Sequence, residues 1–479
     1  MKKLLASLTA VVAVATLAAC GPTSQPSEDP TSTPEPGPTQ PTTVTPEPGP
    51  TVKEYTGTET QGITDTQIWI GNTAATTGAF AAVGVPFNVG LEAALNTYNL
   101  MGGFGGKTVH LKHYDDEFDG AKGAQYTKQL VEDDKVFALV GHFGTNTVAA
   151  TVDYIKEQGV PMVYAATGIN NLYQEKAQGY NKAVMPVQPI YKTEGRVLLA
   201  RALAAVEGNY GLGGTKIGVI STTDDAGIGM LEGIKRQAEE CSSSVKITYA
   251  ETQAAQGTNH TAAVNKLKLA QCDVVIIAAN QVPFGEILNY MRDTSYNAKV
   301  ITSYVSANAA TLGALEDAGS ITKDRSVYTN AWLDVTTEKG LADYTMFAGE
   351  VYLKYGITDP TDPEQAAKPE FQEATAMALN SYAMAGYCAG NIFLQGLKRV
   401  AEAGKDLTWK NYIDAMEADD VNLPMGGTLS FANGDRLGIA ALALNRANKA
   451  AEGGAGLDAV SPITTLDEIW SHVPANFRK

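Results

Sequence analysis

Cysteine and positive charge are scarce in this chain. Its 479 residues include four cysteines, five histidines and 36 lysines and arginines against 52 acidic residues, so the formal net charge is −16. Such an acidic balance argues against nucleic acids and anionic lipid surfaces as partners. The cysteine spacing matches no zinc pattern. Apart from Cys20, three cysteines remain, and this odd number favours unpaired structural residues; a disulfide between Cys241 and Cys272 stays open.

Catalytic signatures are missing as well. The sequence holds no G-x-S-x-G nucleophile elbow and no H-E-x-x-H metal motif. Its histidines have no paired helical spacing for a metal ion. The glycine-rich stretch 102–108 looks like a phosphate loop, but it joins a helix to a strand, whereas a phosphate loop joins a strand to a helix. We therefore expect no catalytic constellation, no metal and no cofactor, and predict that the chain is not an enzyme.

Only the N-terminus carries a long hydrophobic run. Lys2 and Lys3 precede the apolar residues 4–19, which end directly before Cys20. A short basic start, an apolar stretch and small residues before a cleavage point are typical of a secretory signal. A cysteine at that point indicates a bacterial lipoprotein, in which the Cys20 thiol carries a diacylglycerol; an ordinary signal peptide is the alternative. We expect export and lipid anchoring at the outer face of the cell membrane, or in the periplasm.

Residues 20–61 are rich in proline and threonine. Ten prolines fall between Pro22 and Pro50, and aliphatic residues are almost absent. A segment of this composition buries too little apolar surface to fold. We therefore predict a disordered tether between the lipid anchor and the folded part.

The remaining chain alternates strand and helix patterns. Gln67–Asn72 is predicted to be a strand, a helix with apolar residues at helical spacing opens at Pro86, and the alternation starts again with a strand at Lys216–Ile220. Alternation with short connections implies a mostly parallel sheet covered by helices on both faces. Roughly 420 residues exceed what one hydrophobic core serves. We therefore predict an α/β fold of two doubly wound parallel-sheet lobes, joined near Pro186–Pro189 by a hinge of several crossovers.

The two lobes are expected to take alternating stretches of the chain. Asn433-Gly434 predicts a hairpin between strands at 427–431 and 438–444. The predicted parts are the signal peptide 1–19, the tether 20–61, the first lobe 62–188 and 335–420, the second lobe 189–334 and 421–448, and a C-terminal extension 449–479.

The loops that follow the strands are the candidate binding segments, because ligands of open parallel sheets bind outside the carboxyl ends of the strands. In 141–147 a buried strand leads through glycines into a helix start, whose N–H groups form an anion site that the Thr145 hydroxyl extends. Thr145 or Asn146 as a simple helix cap is the alternative. Ala165-Ala166-Thr167 brings small residues and one hydroxyl to the next strand end.

Several segments together resemble one known family. They are Thr77-Gly78-Ala79-Phe80, the stretch 99–107, Tyr114-Asp115-Asp116-Glu117, Gly159-Val160-Pro161 and the stretch 427–431. With these segments, residues 66–448 resemble the type I periplasmic binding proteins of branched-chain amino-acid ABC importers, the leucine/isoleucine/valine-binding family. The resemblance implies an extracytoplasmic solute-binding lipoprotein that delivers a small amino acid, or another carboxylate or amide solute, to an ABC permease. A ligand-sensing regulatory lipoprotein on the same fold is the alternative.

The resemblance also implies the residues of the binding site. Thr145 at the helix start would hold the ligand carboxylate, and the Ala165-Ala166-Thr167 strand end would supply a carbonyl and a hydroxyl. The acidic partner of a ligand ammonium should fall within 304–306, where no residue is acidic. The full predicted set is Phe80, Gly144, Thr145, Ala165, Ala166 and Thr167 on the first lobe, with Asn280, Gln281 and Tyr304 of the second lobe expected to close over the ligand.

Overall fold

The structure is a computed structural model that describes residues 54–306, 309–335, 337–451 and 456–479. Within the chain, Val52–Lys479 form one compact unit. The predicted signal peptide, the lipidation site Cys20 and the tether as far as residue 53 lie outside the described residues, so they stay predictions.

The described residues form fourteen strands and fourteen α-helices. The strands are β1 (Gln67–Ala74), β2 (Thr108–Asp115), β3 (Ala138–Val140), β4 (Met162–Val163), β5 (Val184–Met185), β6 (Lys216–Thr222), β7 (Lys246–Thr252), β8 (Val274–Ala278), β9 (Lys299–Thr302), β10 (Val327–Ala331), β11 (Val421–Asn422), β12 (Thr428–Leu429), β13 (Leu442–Ala447) and β14 (Leu457–Thr464). The helices are α1 (Ala81–Leu100), α2 (Gly120–Lys128), α3 (Thr145–Gln158), α4 (Tyr191–Leu203), α5 (Asp225–Ala238), α6 (Thr261–Leu269), α7 (Gln281–Asp293), α8 (Ala309–Asp317), α9 (Glu338–Lys354), α10 (Pro363–Ala366), α11 (Pro369–Ala378), α12 (Ser381–Glu402), α13 (Trp409–Ala418) and α14 (Leu466–Ser471).

The first lobe is built on a sheet with the strand order β2-β1-β3-β4-β5, in which every pair is parallel. β1 pairs with β2 along its whole length, from Gln67 opposite Thr108 to Ala74 opposite Asp115. All residues of β3 and β4 are buried. Full burial is expected of parallel strands whose two faces are both covered by helices, and it explains why these strands are short apolar runs.

The second lobe is built on a sheet with the strand order β14-β13-β10-β9-β8-β6-β7. The strands β6 to β10 are parallel, whereas β13 runs antiparallel to both β10 and β14. The chain passes between the two sheets three times, after β5, after β10 and after β12. The predicted α/β fold of two doubly wound lobes joined by a multi-crossover hinge is thereby confirmed.

The closest packing inside the first lobe is between α1 and α12, where glycines let the two backbones touch. A Cβ atom on Gly386 of α12 would collide with the carbonyl oxygen of Phe87 in α1, and one on Gly90 of α1 would collide with the carbonyl oxygen of Ala383. Together with the turn before it, α1 is long and apolar enough to cross a membrane, but more than half of that stretch is buried in the lobe. It therefore serves here as a core helix.

Two predicted elements differ from the structure. The first helix begins at Ala81, so Pro86 lies inside it and removes one backbone donor there. The predicted hairpin at Asn433-Gly434 is wrong, because β12 pairs with β11. After the turn, the N–H of Arg436 donates to the carbonyl of Gln174 in the first lobe at 2.8 Å, and the chain then runs on to β13.

The predicted disorder of the tether is wrong for its last residues. Tyr55 is buried, and its hydroxyl donates to the carbonyl of Gly159 at 2.6 Å. Gln61 donates to the carbonyl of Val136 at 2.9 Å. These side chains anchor residues 54–61 to the first lobe, because Tyr55 supplies the apolar surface that the proline-rich part lacks.

The stretch predicted as a C-terminal extension contributes to the second lobe. β14 is the edge strand of its sheet, and the His472 ring in the turn after α14 stacks on Tyr210 at 3.5 Å between centroids. The three cysteines in the described part, Cys241, Cys272 and Cys388, are buried and unpaired.

Candidate functional site

A cavity of about 360 Å³ lies where the carboxyl ends of the two sheets face each other. Residues that directly follow β3, β4, β8, β9 and β10 line it, which is the place where open parallel sheets bind ligands. Most of its lining is apolar. The aromatic residues that line it are Phe87, Phe118, Phe143, Tyr191, Tyr304, Trp332, Tyr344 and Tyr382.

Three hydroxyl groups meet at the buried side of the cavity. The Thr145 hydroxyl lies 3.1 Å from the Thr167 hydroxyl and 3.2 Å from the Tyr191 hydroxyl, and the latter two are 3.3 Å apart. The residues come from the start of α3, the loop after β4 and the start of α4, and each is at most 2% exposed. Burial raises the pKa of the Tyr191 hydroxyl to about 12, so it stays a neutral hydrogen-bonding group at physiological pH.

The start of α3 has no side-chain cap. Gly144 occupies the cap position with φ 100°, a conformation that favours glycine, and no side chain there accepts a helix N–H. The Asn146 amide donates instead to the carbonyl of Phe118 at 3.2 Å, and the Thr147 hydroxyl donates to Asp116 at 2.5 Å. The interpretation of Thr145 or Asn146 as a simple helix cap is therefore wrong, and the first N–H groups of α3 keep their capacity to bind an anion.

Buried polar side chains behind α3 fix this loop. Asp116 accepts hydrogen bonds from the hydroxyls of Thr73 at 2.8 Å and Thr147. Burial raises its pKa despite these bonds. The His142 ring is fully buried between the hydroxyls of Thr127 and Thr151, and burial lowers its pKa to about 4, so it is neutral at physiological pH.

Two polar side chains of the second lobe that line the cavity, Asn280 and Tyr304, are already paired. The Asn280 amide donates to Asp224 at 3.1 Å. The Tyr304 hydroxyl donates to the carbonyl of Pro189 in the first crossing at 3.0 Å. The Tyr382 hydroxyl of α12 donates to the carbonyl of Val305 at 3.0 Å, which joins the first lobe to the loop after β9.

A buried carboxyl group supports that loop from behind. Glu194 of α4 accepts hydrogen bonds from the Ser303 hydroxyl at 2.6 Å, the Tyr304 N–H at 3.0 Å and the Asn330 amide at 3.3 Å. Its side chain is completely buried, and this burial outweighs the hydrogen bonds and raises its pKa to about 7. The carbonyl oxygen of the Asn330 amide is buried with no hydrogen-bond partner in the described chain.

The structure brings most of the predicted binding residues to the cavity. Thr167 lies directly behind the lining and contacts Thr145, and Phe80 stacks on the lining residue Phe118 at 3.9 Å between ring centroids. Ala165 is fully buried. The predicted binding residues that line the cavity themselves are Gly144, Thr145, Ala166, Asn280, Gln281 and Tyr304. Their contact with a ligand stays a prediction.

Sequence patterns missed the apolar part of the lining and its one charge. Trp332, Leu333 and Asp334 come from the second crossing, directly after β10, and Leu341 and Tyr344 come from α9. The one sequence signal that could have indicated this apolar lining was the pair Trp332-Leu333, which directly follows the strand β10. Asp334 is the only charged side chain among the described residues that line the cavity, and no lysine, arginine or histidine joins it.

Two lobes that share a cavity and are joined by three crossings define a two-lobed binding protein with the type I periplasmic fold. The chain belongs to the periplasmic binding protein family, whose model matches residues 67–454. This confirms the resemblance that the sequence motifs indicated.

Curated relatives of the chain are amino-acid-binding proteins by name. The Leu/Ile/Val-binding protein homolog 2 of Brucella abortus (strain 2308) is 26% identical over 244 residues, which cover 50% of this chain and 62% of the relative. The amino acid binding protein of Pseudomonas aeruginosa is 22% identical over 254 residues, covering 52% and 63%. The chain thus matches less than two thirds of the length of these relatives.

Solved structures share the fold along most of the chain. A fatty acid ABC transporter substrate-binding protein from Thermomonospora curvata superposes with a TM-score of 0.69 at 17% identity, covering 89% of this chain and 98% of that one. The branched-chain amino acid transporter substrate binding protein of Streptococcus pneumoniae, in complex with isoleucine, superposes with a TM-score of 0.61 at 19% identity, covering 83% and 100%. At these identities the likeness shows the fold alone.

Proposed function

We propose that this protein is the extracytoplasmic solute-binding lipoprotein of an ABC importer. It captures a small amino acid, or another carboxylate or amide solute, between its lobes and presents it to a membrane permease. One observation carries the proposal: the hydroxyl cluster of Thr145, Thr167 and Tyr191 and the uncapped start of α3 meet in a cavity between two hinged lobes. A ligand that contacts both lobes favours the closed state, which is a signal that a permease can read.

The polar groups of the cavity suit a carboxylate or amide ligand. The N–H groups at the start of α3 and the nearby hydroxyls are donors for the carbonyl or carboxylate oxygens of such a ligand. An amide ligand would also bring an N–H group, which can donate a hydrogen bond to the side-chain carbonyl oxygen of Asn330, a buried acceptor without a partner among the described residues. Isothermal titration calorimetry against amino acids, simple carboxylates and their amides tests the proposal, and it fails if no compound of these classes binds.

Thr145→Ala is expected to weaken ligand binding by about 1–3 kcal/mol, because it removes a hydrogen bond to a charged or strongly polar group. Calorimetry with the best ligand of that panel measures the change. Thr261→Ala at the start of α6, away from the cavity, is the matched control and should bind like the wild type. An unchanged affinity of Thr145→Ala would reject its place in the site.

Cys20→Ser is expected to abolish incorporation of a labelled fatty acid into the protein, because the serine hydroxyl does not replace the thiol in the lipid transfer. Growth of expressing cells with the label, followed by gel autoradiography, measures this. Cys388→Ser should keep the label, because this buried cysteine is not the predicted lipidation site. Labelling of the Cys20→Ser protein would contradict the lipoprotein assignment.

A ligand-sensing lipoprotein on the same fold is the second candidate, since a fold alone does not fix a function. The two functions differ in their partner. Crosslinking of the ligand-bound protein in intact cells should capture a permease if it serves transport and a signalling protein if it serves sensing.

A further inference from the structure

We propose that the ligand is a monocarboxylic acid with an apolar body larger than a branched-chain side chain and without a charged amine. This inference rests on the proposed function and specifies its substrate class. Its carboxylate lies at the hydroxyl cluster and the start of α3, and its apolar body runs through the aromatic lining toward α9.

The size of the cavity is the first argument. A dry cavity of about 150 Å³ holds benzene, which has six non-hydrogen atoms. By that measure the cavity of about 360 Å³ accommodates about 14 non-hydrogen atoms. Leucine, with about nine, would leave apolar wall without a contact, and an unfilled apolar wall loses attractive contacts.

The charge of the lining is the second argument. A buried ammonium group needs an acidic partner, and without one its transfer from water is costly. The loop 304–306 offers no acid, and Glu194 behind it already accepts three hydrogen bonds from protein groups. Asp334 is only partly buried, and its backbone lies against Gly340 of α9, beside the exposed Leu341, whereas the hydroxyl cluster is buried. A ligand without an amine avoids this cost.

The exposure of the lining residues gives the orientation. Thr145 is 2% exposed and marks the closed end of the cavity, whereas Leu341 on α9 is 56% exposed and marks its mouth. Phe87, Phe143 and Trp332 form part of the wall and are at most 5% exposed, so they offer buried aromatic surface and no charge. An acid that enters with its carboxylate first places its apolar tail along this wall and its end near Leu341.

The experiment compares acids in matched pairs, with and without the amine. The full chain carrying Cys20→Ser, which lacks a lipid that would compete for the cavity, is titrated by calorimetry with leucine and 4-methylpentanoate, with phenylalanine and 3-phenylpropanoate, and with hexanoate, octanoate and decanoate. We expect each acid to bind at least tenfold more tightly than its amino acid. In the straight-chain series, each added methylene should tighten binding about fourfold until the cavity is filled.

A pair of substitutions on α9 tests where the apolar tail ends. Leu341→Gln is expected to weaken decanoate binding about tenfold and to leave hexanoate binding unchanged, because only the longer tail reaches the mouth. Met346→Gln changes a residue of the same helix that is 59% exposed and does not line the cavity, so it should affect neither acid. Equal loss for both acids with Leu341→Gln would contradict the orientation.

Asp334→Asn distinguishes a ligand without a cation, which Asp334 repels, from a ligand whose ammonium group pairs with Asp334. Removal of a like charge should tighten binding of the apolar acids about twofold. If the change instead weakens binding of leucine or phenylalanine, Asp334 pairs with the ammonium group of the amino acid and the inference is overturned. If leucine or phenylalanine binds as tightly as the matching acid without the amine, the inference is overturned but the proposed function stands. If none of the compounds binds, the proposed function is overturned as well.

Discussion

Gly386→Ala is expected to lower the free energy of unfolding by about 3 kcal/mol or more, because the new Cβ atom would collide with the carbonyl oxygen of Phe87. A backbone atom cannot rotate away as a side chain can, so α1 and α12 must separate. That separation breaks the packing of two helices that are buried along most of one face. The urea midpoint and the thermal midpoint measure the loss.

Gly349→Ala is the matched control. Gly349 lies in the exposed interior of α9, and a Cβ atom there meets no other atom within 4 Å. Since alanine is favoured over glycine in a helix by about 1 kcal/mol, this variant should be as stable as the wild type or slightly more stable. A similar loss of stability in both variants would show that the contact of α1 with α12 is not the cause, because helix propensity favours alanine at both positions.

Glu194→Gln is expected to stabilise the protein by roughly 3 kcal/mol at pH 8 and to have little effect at pH 4.5. The folded pKa of about 7 lies above the ordinary value of 4.5, so protonation favours the folded state. This stabilisation is complete below pH 4.5 and is lost as the pH rises through 7. Glutamine matches the protonated acid, because its carbonyl accepts from the Tyr304 N–H and the Asn330 amide while its own amide donates to Ser303.

The thermal midpoint between pH 4.5 and pH 8 measures this effect. The wild type should lose stability over this range, and Glu194→Gln should lose much less. Glu370→Gln changes an exposed glutamate at the start of α11 and should follow the wild-type profile. A loss of stability at pH 8 in Glu194→Gln would mean that the ionised carboxylate is required to hold the loop after β9.

The two parallel sheets were predictable because their strands carry local signals. An apolar run of β3 or β8 between turns, followed by a helix pattern, is visible within a short window of sequence. The partner of β12 was not predictable, because Asn433-Gly434 is a common hairpin signal and only the contact of Arg436 with Gln174 turns the chain away. The hydrogen bond between the backbones of Arg436 and Gln174, which are distant in sequence, therefore outweighs the local hairpin preference of Asn433-Gly434.

The polar half of the candidate site was predictable in part. Thr145 and Ala166 stand at strand ends, where the fold class alone predicts binding loops. Tyr191 was missed because it lies in α4 after the first crossing, and not in a loop of the kind that the fold class marks for binding. In the sequence it looks, like Glu194, like an ordinary residue of an amphipathic helix. The apolar half could not be predicted, because α9 and α12 reach the cavity from about 200 residues further along the chain than Thr145.

Both sheets depend on parts of the chain that arrive late. α12 begins at Ser381 and packs against α1, which begins at Ala81, and the second sheet is complete only with β13 and β14. Contacts over such sequence distances form slowly, because a long loop must close before they contribute. A chain that emerges N-terminus first, from a ribosome or through a membrane pore, therefore has neither lobe finished until nearly all of it is free. The order of its elements thus delays the completion of both lobes until such a passage is nearly over.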